Sequence, residues 1–112
     1  VPAPAGSGSP RHAETCTASV FDEGSRLADG SHWSRARSRS EILVAHKSAP
    51  LGSRVRITNQ RNGSTVVAPV RDRGPFVRGR CVDLSIAAAR SLGIDGVAPV
   101  TVEHLRDQMT IK

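Results

Sequence analysis

The stretch RVRIT, Arg54–Thr58, alternates strictly between polar and apolar residues and puts Val55 and Ile57 on one face of a strand. Five further short runs read as strands. They are CTASVF (Cys16–Phe21), EILVAH (Glu41–His46), STVVAPV (Ser64–Val70), RCVDL (Arg80–Leu84) and VAPVTVEHL (Val97–Leu105). Asn62-Gly63 is a hairpin turn signal between the third and fourth runs. Pro50 and Gly52 mark the turn before the third. Pro69 has no N–H to give a ladder, so its strand is predicted to lie at an edge or a bulge.

Only SIAAARSLG switches to helical spacing. Ser85 is its N-cap, Ile86, Ala89 and Leu92 face inward, and Gly93 followed by Ile94 supplies a left-handed stop with its apolar contact. Asp22 to Ser40 is polar and studded with arginine, and its SRARSRS run is predicted to be a solvated loop. Residues 1–14, rich in Pro, Gly and Ser, read as a flexible tail, 15–106 as the folded domain, and 107–112 as a second tail. Six short strands with one short helix, 85–92, between the last two predict a mainly β protein, a small closed barrel.

Composition narrows this further. With one Trp, two Phe and no Tyr, the core must be built from Val, Ile, Leu and Ala. No apolar run approaches the ~20 residues of a membrane-spanning helix, so no membrane partner is expected. A net charge of +6 draws the chain toward anionic partners such as cell-wall polymers or acidic protein surfaces. Nucleic acid is not expected, because zinc-ligand spacing, a helix-turn-helix signal and a stacking platform are all missing. His12, His32, His46 and His104 show no metal-ligand spacing, so neither metal nor other cofactor is expected.

Cys16 and Cys81 permit one disulfide or two buried thiols. Both lie in β-like runs, and the chain opens VPAPAGSGSP without an initiator Met, as a processed mature form would. The bridge and a secreted, monomeric protein are therefore expected.

These elements carry recognisable motifs. TASVF, LADG, LVAHKSAPLGSRVRITNQRNGSTVV, VRDRGPFVRGRCVDLS and AAARSLGI together resemble the rare lipoprotein A-like double-psi β-barrel family, from about Thr17 to Leu105. The resemblance implies a six-stranded double-psi barrel with a cleft for polysaccharide. It also implies that an Asp of the DRGP motif serves as acid and base, supported by a His and a Glu. Asp72 and His46 match the first two. Ser31, in LADGSHW, stands where the Glu is expected, and the strand-one aromatics are reduced to Val20-Phe21.

Two readings follow. A lone carboxylate can run lytic cleavage only if its pKa suits proton transfer both ways, and Arg71 and Arg73 beside Asp72 would favour the anion. Asp72 can equally pin a loop by accepting backbone N–H groups, with His46 ordering it. The chain also resembles small secreted barrels that inhibit papain-like cysteine proteases. On that ground it is expected to be a non-catalytic inhibitor, not an enzyme, that plugs a protease cleft with rigid loops. Its candidate contacts are Trp33, Val20-Phe21, Arg71, Arg73, and Phe76 held by Pro75. The alternative is a peptidoglycan-directed glycan binder or lytic transglycosylase using Asp72 and His46.

Overall fold

The computed structural model describes residues 13–21 and 26–105. The expected tails fall mostly outside them. The chain runs β1 (Ala13–Val20), α1 (Arg35–Ser40), β2 (Val44–His46), β3 (Arg54–Asn59), β4 (Thr65–Asp72), β5 (Arg80–Leu84), α2 (Ile86–Leu92) and β6 (Ala98–His104). The strands close into a barrel in the order β1-β5-β2-β4-β3-β6. Pairs β1–β5 and β2–β4 are parallel and the other four are antiparallel. This is the mainly β, closed six-stranded barrel that the strand pattern predicts, consistent with the double-psi form the resemblance implies.

The alternation read from the sequence sorts the side chains. Val55 and Ile57 of β3, Ala68 and Val70 of β4, and Val100 and Val102 of β6 are buried in one core. Small β-branched and aliphatic side chains fill so narrow a barrel better than aromatics would. The α2 helix closes one side with Ala88, Ala89 and Leu92 buried. Ser85 Oγ accepts from Ala88 N, and Gly93 adopts a left-handed φ of 72° at the C-cap. The last carbonyls of α2 are met from the β3–β4 hairpin, where Asn59 Nδ2 and Asn62 Nδ2 both donate to Leu92 O at 2.8 and 3.1 Å.

Two sequence expectations need correction, and a third is narrowed. SRARSRS is not a loop: Arg35–Ser40 is helix α1, capped by Ser34, whose Oγ accepts from Arg37 N. Ser38, fully buried, docks it. Its Oγ donates to Phe21 O at 3.1 Å and accepts from Ile86 N at 2.9 Å, tying α1 to the start of α2.

For Pro69, expected at an edge or a bulge, the bulge holds: the closed ring leaves β4 between β2 and β3 and gives it no edge. The irregularity is next to it, where the β2–β4 register slips between Val44 and Ala45. The second correction concerns residues 13 and 14, assigned to the tail. They belong to β1, pairing with Glu103 and Val102.

Cys16 and Cys81 are disulfide-bonded and join β1 to β5 across 65 residues. Closing a loop of that length removes denatured-state entropy worth about 4 kcal/mol on the chain-entropy account. Replacing both cysteines with Ser is expected to lower stability by about that much in a denaturant titration; an unchanged midpoint would rule the bridge out as a stabilising element.

Candidate functional site

One end of the barrel gathers the polar groups. There β2, β4 and β6 finish while β1, β3 and β5 begin, as the strand directions require. His46 ends β2, Asp72 ends β4, His104 ends β6, and Glu14 lies one residue inside the start of β1.

Asp72 is half-buried, and its Oδ1 accepts from Ala28 N at 2.8 Å. Nearby, Asp29 N donates to Arg71 O at 3.2 Å. These two bonds fasten the segment 26–33 across the end of β4. Underneath, Leu27, Trp33 and Leu43 form a second small core with Phe21 packed against it. The rings of Phe21 and Trp33 lie 4.9 Å apart. Trp33 is only 1% exposed and so offers no face to a partner. Its expected role as a contact is corrected to one of support for the loop over Asp72. Phe21 and Val20 are half-buried.

The flanking arginines turn away from Asp72. Arg73 Nη1 donates to His46 O at 3.2 Å and to Ala49 O. Arg71 Nη1 stands 4.0 Å from Asp29 Oδ2. Gly74 takes a φ of 118°, the Gly74–Pro75 bond is cis, and both residues are buried. Phe76 beyond them is 78% exposed and Val77 is 53% exposed, an apolar tip beside the site.

His46 does not order Asp72 as expected. It is 3% exposed, and all its hydrogen bonds go elsewhere. Nδ1 accepts from Ser48 N at 3.1 Å and Ala49 N at 3.0 Å, so the ring proton must sit on Nε2. Nε2 donates to Glu14 Oε2 at 2.7 Å, and His104 Nε2 lies 2.6 Å from the same oxygen. The two rings meet edge-on, 4.8 Å apart. Burial pushes the Glu14 carboxyl up, but the His104 and His46 hydrogen bonds outweigh it and hold it below its ordinary range.

The spacing of Glu14, His46 and His104 would suit a metal ion. The tautomer speaks against it. A neutral imidazole whose Nδ1 lone pair already receives two N–H donors has no lone pair left on Nε2 for a cation.

Where the resemblance expects a Glu, Ser31 joins a different network. Ser31 Oγ bonds Asp29 Oδ1 at 2.5 Å and receives Arg37 Nη1 at 2.8 Å. Arg37 in turn clamps Glu41 at 2.7 and 3.1 Å. Hydrogen bonds from Ser31 hold the Asp29 carboxyl low, and the Arg37 guanidinium does the same for Glu41. Both therefore stay ionised and are poor proton donors. A groove of about 330 Å³ exists between β1 and α2, lined by Val20, Ile86 and Arg90 among others, but it lies away from Asp72.

Sequence reading missed Glu14 and His104. Only the inward parity of Cys16, Ala18, Val100 and Val102 could have flagged them, by extension along their strands.

A family model described as lytic transglycolase matches residues 14–102. A probable endolytic peptidoglycan transglycosylase RlpA of Nostoc sp. is 58% identical over 66 residues, covering 57% of this chain and 18% of that protein. The probable RlpA of Synechocystis sp. is 43% identical over 82 residues, 71% of this chain and 24% of that protein. The RlpA of Pasteurella multocida is 54% identical over 65 residues, 56% of this chain and 22% of that protein. The chain thus spans about a quarter or less of these relatives.

Among solved structures, the Streptomyces papain inhibitor aligns with a TM-score of 0.66 at 24% identity, covering 88% of this chain and 98% of that one. The apo expansin of Clavibacter michiganensis aligns with a TM-score of 0.64 at 25% identity, covering 88% of this chain and 53% of that one. The inhibitor's likeness carries the fold alone. The expectation that the chain is not an enzyme is overturned, since the curated relatives at 43–58% identity bear an enzyme's name.

The lowered carboxyl of Glu14 gives a pH prediction. Its contribution to stability is complete above the ordinary carboxylate range and is lost as pH falls through its lowered value. Across that acidic window the melting temperature of Glu14→Gln should fall less than that of the wild type; parallel curves would show that the cluster adds no pH-linked stability.

Proposed function

The chain belongs to the lytic transglycolase family, and from that premise we propose that it cleaves peptidoglycan glycan strands by intramolecular transglycosylation, with Asp72 as the proton-transferring carboxylate. The observation that carries this reading is Asp72 itself. It ends β4 in the DRGPF stretch, at the polar end of the barrel, within the matched span.

The chemistry requires a proton for the glycosidic oxygen and removal of one from the sugar hydroxyl that attacks the anomeric carbon. Asp72 Oδ1 is fixed by Ala28 N, while Oδ2 accepts no hydrogen bond from a described residue. One oxygen is thus anchored and the other is available to the glycosidic oxygen. Positioning by a rigid loop matters because a fixed donor loses little entropy at the moment of transfer. The packed Trp33, Leu27 and Leu43 beneath that loop supply the rigidity.

Phe76 supports the glycan half of the reading. An exposed ring beside a carboxylate can lie against the apolar face of a sugar, and the net charge of +6 favours an anionic wall polymer. The disulfide fits action outside the cytoplasm, where such bonds persist. His46, with both nitrogens engaged, serves the site as a framework residue.

The test is incubation with denuded peptidoglycan glycan and detection of anhydro-sugar ends by mass spectrometry. Product is expected from the wild type, and Asp72→Asn should reduce its rate at least ~100-fold. Absence of product from the wild type, or product undiminished in Asp72→Asn, rejects the reading. Phe76→Ala should raise KM several-fold, a loss of about 1 kcal/mol of binding, with kcat little changed. An unaltered KM would remove Phe76 from the glycan contact.

A further inference from the structure

The geometry points to Glu14 as the second carboxylate of this site, the group that accepts the sugar hydroxyl's proton while Asp72 protonates the leaving oxygen. The inference rests on the glycan-cleaving reading above.

Position is the first ground. In the ring β1-β5-β2-β4-β3-β6, strand β1 stands three places from β4, directly opposite. The strand directions bring the start of β1 and the end of β4 to the same end of the barrel. Asp72 and Glu14 therefore belong to opposite walls of one barrel mouth. Two carboxylates on opposite walls are what acid and base on either side of a glycosidic bond require.

The second ground is how firmly Glu14 is built in. Its Oε2 takes both imidazoles, His46 at 2.7 Å and His104 at 2.6 Å. His46 is itself fixed by Ser48 N, Ala49 N and, through its carbonyl, Arg73. Barrel stability does not call for such a cluster. The neighbouring inward residues are Cys16, Val55 and Val102, and an apolar side chain would close the mouth without desolvating a charge.

Availability is the third ground. The Glu14 side chain is 37% exposed, and its Oε1 accepts no hydrogen bond from a described residue. One oxygen is held and the other is open, the same arrangement as at Asp72. Glu14 thus supplies from β1 the carboxylate that the Ser31 position lacks.

The step balances without an added reactant. Asp72 in its acid form gives its proton to the glycosidic oxygen as the bond from that oxygen to the anomeric carbon breaks. A hydroxyl of the same sugar forms the new bond to that carbon and passes its proton to Glu14 Oε1. Solvent then returns the proton balance between the two carboxyls. The products are an anhydro sugar and a free hydroxyl, with no water consumed.

The test compares wild type, Glu14→Gln and Asp72→Asn on denuded glycan, together with NMR of the wild type as a peptidoglycan glycan fragment is added. Glu14→Gln should lower kcat at least ~100-fold with KM within about threefold, since binding survives and proton removal does not. The Glu14 side-chain carboxyl carbon and the His104 ring signals should shift on titration.

If Asp72→Asn abolishes product while Glu14→Gln retains near-normal kcat, this inference fails and the glycan-cleaving reading stands. If the wild type makes no product, both fail. Should Glu14→Gln not fold, the wild-type titration decides: unmoved Glu14 and His104 signals at saturating fragment overturn the assignment, and shifted signals support it.

Discussion

Closure of the strand ring is the constraint on which the other features hang. β1 hydrogen-bonds to β5 on one side and β6 on the other, so the first described strand cannot form its ladders until the last is in place. The two parallel pairs force the connections to cross between the ends of the barrel, which is costly in loop entropy and repaid only when the core is complete. The Cys16–Cys81 bridge acts at this seam, joining β1 to β5. Because of closure, residues far apart in sequence become neighbours: Glu14 and His104 are separated by 90 positions and share a hydrogen bond.

That dependence explains what could be read from the chain and what could not. Local signals sufficed wherever an element is stabilised by its own residues. RVRIT alternates and is β3, while SIAAARSLG carries both caps and is α2. RARSRS failed as a local signal because it has no apolar stripe. Its inward group is Ser38, a hydroxyl satisfied by Phe21 O and Ile86 N, and that bonding exists only after α2 has formed. Ser34 caps the helix, but one serine among several in a polar, arginine-rich run does not stand out as a cap. Pro69 left an edge or a bulge open, and closure decides between them. Proline's missing donor argues for an edge or a bulge, a closed ring has no edge to offer, and the irregularity is the adjacent β2–β4 register slip.

Asp72 was legible as a candidate from its motif, and so was His46, but their relation was not. The family motifs suggested that His46 orders Asp72. The slip between Val44 and Ala45 alters the facing of β2 and β4 at that point, and His46 spends Nε2 on Glu14 instead. Glu14 escaped notice because it sits just inside a stretch of tail-like composition. A Glu at a strand's first inward position looks like an ordinary solvated end until the opposing histidines are known.

The contrast among the carboxylates turns on what each one faces. Asp29 is bonded by Ser31, and Glu41 is clamped by Arg37, a cation that also lies 5.7 Å over the Trp33 ring. Those contacts fix the loop and hold both groups as anions, which suits a scaffold and unfits them to give up a proton. Substituting Ser for Glu at position 31 in such a setting removes a potential like-charge neighbour of Asp29 and gives Arg37 a hydroxyl to hold. The loop thereby gains an internally neutralised network, and the demand for a second carboxylate near Asp72 must be met from another strand. A closed barrel can meet it, because the ring brings the ends of β2, β4 and β6 and the starts of β1, β3 and β5 to one mouth. The proposed pair, Asp72 and Glu14, then need not come from one motif; it needs only two strands of opposite direction, as β1 and β4 are.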